Sequence, residues 1–135
     1  MPNPLFQPLT IRHVTFRNRF MSTSHACGLE EGGLPKERYQ RYHEEKAKGG
    51  IGLTMFGGSS NVAPDSPSVF QQLYVGDDEV IPYLQQFSER VHRHGTAIMC
   101  QITHLGRRGE PYQGHWLPTI GPSAIRETLH RSFPK

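Results

Sequence analysis

The 135-residue sequence predicts an α/β fold built on parallel strands, and three stretches carry that prediction. They are Arg17-Asn18-Arg19-Phe20-Met21-Ser22-Thr23-Ser24-His25-Ala26, Ile51-Gly52-Leu53-Thr54-Met55-Phe56-Gly57-Gly58-Ser59, and Ala97-Ile98-Met99-Cys100-Gln101-Ile102-Thr103-His104-Leu105-Gly106-Arg107-Arg108. Each contains a short apolar run that turns abruptly polar or glycine-rich, as a buried strand does where it surfaces at a working face. Helical patterns separate them, giving the order strand–helix–strand–helix–strand. Buried strands joined this way pair in parallel through right-handed crossovers. A site is therefore expected at the carboxyl ends of the strands.

The elements follow in order. Pro2, Pro4 and Pro8 precede two short alternations, Leu9 with Ile11 and Val14 with Phe16, which read as a small hairpin before the main fold. Phe20 to Ser24 is the first core strand, and His25 to Leu34 is a loop containing Gly28, Gly32 and Gly33. Pro35 suits the first turn of a helix over Lys36 to Lys48, with Tyr39, Tyr42 and Ala47 on one face and Gly49-Gly50 as its stop. Ile51 to Phe56 is the second strand, and Gly57 to about Gly76 a long loop. Asp77 or Asp78 can cap a helix from Glu79 to His94, in which Leu84, Phe87 and Val91 recur at helical spacing. Gly95 ends it, and Thr96 to Ile102 is the third strand. Beyond His104, Pro111, Pro118, Pro122 and Pro134 mark a loop-like tail.

Three parallel strands leave a sheet edge unpaired, and a (β/α)8 TIM barrel takes about 250 residues. The sequence therefore predicts the N-terminal part of such a barrel, with residues 1–135 supplying about the first three β/α units and later strands and domains lying outside them. The formal net charge of +3 comes from Lys and Arg interspersed with Glu, and no RNA-binding, zinc-finger or helix-turn-helix signature accompanies it. A nucleic-acid partner is not expected. Two cysteines make no disulfide framework, and no apolar run approaches the ~18 residues of a membrane span. A reducing, cytoplasmic setting is the expectation.

Several residues have both a plain and a functional reading. Gln101 can satisfy backbone groups at a strand end or meet a ligand. His25 and His104 can be hydrogen-bonded structural histidines or site residues. His25, Cys27, Cys100 and His104 do not have zinc-finger spacing, and alternation puts Cys100 and Gln101 on opposite faces of their strand, so no metal is expected. Cys100 reads as a small buried apolar residue, and Tyr39 and Tyr42 as helix-packing residues. Arg107 and Arg108 can anchor a carboxylate or fix their loop. Neither Gly49-Gly50 nor Gly57-Gly58 has phosphate-loop spacing.

Leu5-Phe6-Gln7-Pro8-Leu9 with Arg17-Asn18-Arg19, then Gln101-Ile102-Thr103-His104-Leu105-Gly106-Arg107, then Gly121-Pro122-Ser123-Ala124-Ile125, together resemble the flavin-dependent Old Yellow Enzyme family of FMN-binding barrels. Ser24-His25-Ala26-Cys27-Gly28-Leu29-Glu30-Glu31 resembles the branch of 2,4-dienoyl-CoA reductases, trimethylamine dehydrogenase, and dimethylglycine and proline-betaine demethylases. Trp116-Leu117-Pro118 and Arg126 to Lys135 look most like the demethylases.

The resemblance implies that Ser24, His25 and Ala26 lie along the flavin. It also implies that Gly58 lets the flavin approach the second strand and that Gln101 hydrogen-bonds its pyrimidine edge. A glutamine amide offers both donor and acceptor to such an edge. The catalytic residues are left open, with His25 and His104 as the candidates. Trimethylamine dehydrogenase attaches FMN through a cysteine where this chain has Ala26, so FMN is expected to be bound without a covalent link. That enzyme's substrate-caging aromatic is replaced by Gly57-Gly58. An iron–sulfur cluster and a second nucleotide would belong to regions of a larger protein outside this chain.

The expected reaction is oxidative N-demethylation of a small methylated amine or betaine with hydride transfer to flavin N5. Two alternatives are NAD(P)H-dependent reduction of activated alkenes or enoyl-CoA substrates, and a non-catalytic binding module. Expected partners are a small-molecule substrate and either NAD(P)H or an electron-transfer partner. Oligomeric state is left open.

Overall fold

A computed structural model describes residues 2–66, 71–106, 120–126 and 128 of the chain. A 3-10 turn at Pro4–Phe6, capped by Asn3, leads into β1 (Leu9–Ile11) and β2 (Val14–Phe16). These pair antiparallel, Leu9 opposite Phe16 and Ile11 opposite Val14, as the alternation predicts. The main sheet comprises β3 (Met21–Ser22), β4 (Leu53–Asn61) and β5 (Ala97–Thr103) in the order β3-β4-β5, all parallel. Helices α1 (Glu37–Lys48) and α2 (Ile81–His92) form the crossovers. This is the N-terminal portion of a β/α barrel with a hairpin before it.

The polar-looking α1 is set by what it buries. Tyr39, Gln40, His43 and Ala47 face inward, while Arg38, Arg41, Glu45 and Lys48 are exposed. Gln40 and His43 are buried polar side chains that the apolar spacing did not disclose. The Gln40 amide donates to the Pro35 carbonyl at 2.9 Å and to Gln86 Oε1 on α2 at 3.0 Å. His43 Nδ1 meets Thr54 Oγ1 at 2.8 Å. Such pairing offsets part of the cost of removing polar groups from water, while Gln40 Oε1 and His43 Nε2 are buried with no hydrogen-bond partner among the described residues. Burial pulls the His43 pKa down to about 3, so its imidazole is neutral. Tyr39, Phe56, Phe87 and His43 meet ring to ring, joined in the core by Ala47, Leu73 and Val91.

Several boundaries differ from the sequence expectation. Pro35 sits before the N-cap Lys36, not inside the first turn, and contributes its carbonyl to Gln40. The second helix opens as a 3-10 turn, Asp78–Val80, with the Asp77 carboxylate accepting from Glu79 N–H at 2.9 Å; the α-helix begins only at Ile81. In the first core strand, only Met21 and Ser22 pair. The larger correction concerns Gly57-Gly58, expected to start a loop. The strand continues through them to Asn61, because an irregularity between Phe56 and Ser60 lets the ladder resume at Ser60 opposite Ile102 and Asn61 opposite Thr103.

Alternation along the sheet gives it two faces. Thr54, Phe56, Ile98 and Cys100 turn toward the helices. Met21, Met99 and Gln101 share the other face, with Met21 50% and Met99 46% exposed. That is the face the strands of a barrel turn inward. Among the described residues no helix is long and apolar enough to cross a membrane.

Candidate flavin site at the strand ends

Two residues 77 positions apart meet at the carboxyl rim: Ser24 Oγ donates to Gln101 Oε1 at 2.5 Å. The bond requires the ends of β3 and β5 to stand level, although β4 lies between them. The glycine pair in β4 makes this possible. Gly57 has φ +104° and Gly58 φ +52°, conformations that side-chain-bearing residues rarely adopt. A Cβ on Gly58 would overlap the backbone of His25 and Ala26, and one on Gly57 would press on the Gln101 carbonyl and Ser60 Oγ. Bare backbone here lets the segments from β3 and β5 close over β4. Tyr39 fixes the same turn from below, its hydroxyl accepting from Gly57 N–H at 2.9 Å. Burial raises the Tyr39 pKa well above its ordinary value, so the phenol stays protonated.

Ser24, His25, Ala26, Gly58 and Gln101 are therefore neighbours. Ser24 is half-buried, His25, Ala26 and Gln101 are exposed, and Gly58 is buried. His25 is held from behind: its Nε2 lies 2.6 Å from the Tyr42 hydroxyl. His104 is held differently. Its Nδ1 accepts from Gly106 N–H at 3.0 Å, which leaves the proton of the neutral ring on Nε2, 3.2 Å from Asp65 Oδ1. Beside it Leu105 N–H donates to Ser66 Oγ at 2.9 Å, and Ser66 donates to Asn61 Oδ1 at 3.0 Å. His104 thus ties the end of β5 to the loop after β4. A cleft of about 630 Å³ opens beside that loop, lined by Glu30, Asn61, Ser66, Gln72 and Tyr74 among others. Burial raises the Glu30 carboxyl above its usual range.

The two cysteines are free and half-buried. Cys27 and Cys100 both pack against the core, and burial pushes both thiols up. Among the described residues no three His, Cys, Asp or Glu side chains stand together as metal ligands. Arg107, Arg108 and Trp116-Leu117-Pro118 lie outside the described residues, as does nearly all of Arg126 to Lys135; Gly121 to Ile125 lies at the surface as irregular backbone.

The donor set suits a flavin. Gln101 carries a donor and an acceptor on a rigid strand, and the Ser24 bond restricts rotation of its amide. The apolar Met21 and Met99 lie on the same face. Tyr42, Lys46 and His43, which support His25 and the helix below it, were not identified as site residues from sequence. The only signal there was the i, i+4 spacing of Tyr42 and Lys46 on α1.

Parallel strands opening into a polar rim, with crossover helices behind, define an α/β-barrel protein of the kind that binds a cofactor at its carboxyl face. The chain belongs to the NADH:flavin oxidoreductase / NADH oxidase family, whose sequence pattern matches residues 4–132. It is 61% identical over 133 residues to a multifunctional alkene reductase/demethylase OYE of Caballeronia cordobensis, covering 98% of this chain and 20% of that protein. It is 48% identical over 136 residues to a probable N-methylproline demethylase of Rhizobium meliloti (strain 1021), covering 100% of this chain and 20% of that protein. The chain thus spans about one fifth of the length of these curated relatives. Among solved structures, morphinone reductase in complex with tetrahydroNAD superposes with a TM-score of 0.82 at 22% identity, over 94% of this chain and 34% of that one. That likeness concerns the fold.

Proposed function

We propose that this chain forms the opening strands and part of the flavin cradle of an FMN-dependent oxidoreductase that N-demethylates a small methylated amine or betaine. The observation that carries the reading is the Ser24–Gln101 pair. It fixes an amide at the level of His25 and Ala26, beside the glycine pivot of β4. In this reading Gln101 holds the pyrimidine edge of the flavin. Ser24 sets the rotamer of Gln101, and the His25–Ala26 backbone, seated on Gly58, forms the wall along the ring. When bound, the flavin supplies a two-electron acceptor that takes a hydride from the substrate's methyl carbon. The chain's own contribution is binding, orientation and exclusion of water at one side of that ring.

The names of the two relatives support demethylation, and the first also supports alkene reduction. NAD(P)H-dependent reduction of an activated alkene is therefore the second reading. An absorption spectrum with the two visible flavin bands separates both from a non-catalytic binding module. Anaerobic bleaching of those bands by dimethylglycine or N-methylproline, without NAD(P)H, is the expected result. Bleaching by NAD(P)H alone, with reoxidation by an activated alkene, would establish the second reading instead.

A further inference from the structure

His25 is gripped by groups that the flavin contacts do not use. Its Nε2 is 2.6 Å from Tyr42 Oη, and its Nδ1 is 3.4 Å from the carbonyl oxygen of Thr23. The two rings meet edge to face, with centroids 5.6 Å apart and planes at 78°. The Lys46 ammonium lies 4.2 Å from the centre of the Tyr42 ring. That ammonium is buried and has no hydrogen-bond partner among the described residues. Tyr42 and His43 also meet edge to face, 5.2 Å between centroids and 85° between planes.

Partner chemistry settles where the protons are. A carbonyl only accepts, so in a neutral ring Nδ1 carries the hydrogen and Nε2 carries the lone pair. The Tyr42 hydroxyl is then the donor to Nε2. A cation over the face of a phenol polarises the ring and strengthens its O–H as a donor.

We propose that Tyr42, backed by the buried Lys46 ammonium, is the positioning residue that fixes His25 in its Nδ1–H tautomer at the rim of the site. The functional consequence rests on the flavin reading above; the tautomer rests on the hydrogen bonds alone. With both ring nitrogens engaged inside the protein, His25 meets a flavin or substrate through its carbon edge and ring face. It shapes the wall of the site and leaves proton transfer to another group.

Nitrogen-15 NMR of histidine-labelled protein, flavin-free and flavin-loaded, tests the assignment, with the His25 signals identified by their loss in His25→Gln. In the wild type, Nδ1 should be protonated and Nε2 should show the shift of an unprotonated nitrogen that accepts a hydrogen bond. Tyr42→Phe should move both shifts toward a tautomer average, and Lys46→Met should move them the same way by less. Tyr83→Phe on α2 should leave them in place. Tyr42→Phe should also weaken FMN binding by up to about tenfold, the equivalent of one neutral hydrogen bond. A wild-type ring protonated at Nε2 overturns the proposal, even if Tyr42→Phe fails to fold. Unmoved shifts in a Tyr42→Phe protein that melts like wild type overturn it as well. A full-length protein that takes up no flavin refutes the proposed function, while the flavin-free spectra still decide the tautomer.

Discussion

Gly58→Ala is the sharpest perturbation of this architecture, because it adds one methyl group at the point where three segments converge. Two costs can be separated. At φ +52° an alanine adopts a left-handed conformation, which costs about 1–2 kcal/mol. The new Cβ would also overlap the carbonyl carbon and oxygen of His25 and the nitrogen of Ala26. These are backbone atoms and cannot rotate away, so relief requires moving the end of β3; overpacking of this kind typically costs about 1–3 kcal/mol. The sum is roughly 2–5 kcal/mol. Gly32→Ala is the internal control. Gly32 has φ +65°, and a Cβ there would have nothing within 4 Å, so only the conformational cost applies. Denaturant melts of both variants as flavin-loaded protein, with bound flavin per chain measured in parallel, give the difference. We expect Gly58→Ala to be less stable than Gly32→Ala by about 1–3 kcal/mol and to lose flavin. Equal melting midpoints and equal flavin content would show that β3 does not rest on Gly58 as described.

Three further outcomes are expected. If Gln101 holds the flavin as proposed, Gln101→Ala should weaken FMN binding by about 1–3 kcal/mol, since it leaves polar groups of the covered ring edge unpaired, whereas Gln85→Ala, on the exposed side of α2, should not; equal flavin titrations for the two would refute the proposed role of Gln101. His43, with a folded pKa near 3 against an ordinary 6.5, binds its proton more readily when unfolded. Its contribution is therefore complete above pH 6.5 and falls as pH drops toward 3, by up to about 1.4 kcal/mol per unit. His43→Leu should flatten the stability–pH curve in that window, and an unchanged slope would assign it to other groups. FMN should be released on acid precipitation, because Cys27 packs into the core beside Leu29 and position 26 is alanine; colour retained in the pellet and lost in Cys27→Ala would show a covalent link.

The parallel sheet was legible because its strands are short apolar runs between glycine and proline breaks, and the hairpin because Leu9, Ile11, Val14 and Phe16 alternate. The opposite orientation of Cys100 and Gln101 followed from alternation alone. The passage of β4 through Gly57-Gly58 was not legible. Two glycines read as a stop in one dimension, and only the partner strand shows that pairing resumes past them at Ser60 and Ile102. Buried Gln40 and His43 escaped for a related reason. Their burial depends on Gln86 and Thr54, which lie on other elements. Hydrophobic periodicity detects a face that repels water, not a polar face that finds hydrogen-bond partners across the core.

The same distinction explains why the candidate site was only partly readable. Gln101 and Ser24 could be picked out singly as polar residues ending apolar strands, but their bond spans 77 positions and exists only because Met21 pairs with Leu53 and Leu53 with Ala97. Register at the start of the strands sets which residues meet at their ends. A one-residue slip of β5 against β4 would turn Cys100 to the rim and Gln101 to the helices, exchanging an amide for a thiol. The contacts that resist the slip lie on the helix side, where Cys100 and Ile98 pack into the core and Cys100 Sγ reaches Ser60 Oγ at 3.8 Å. The rim amide therefore owes its position to the packing of its neighbour on the opposite face.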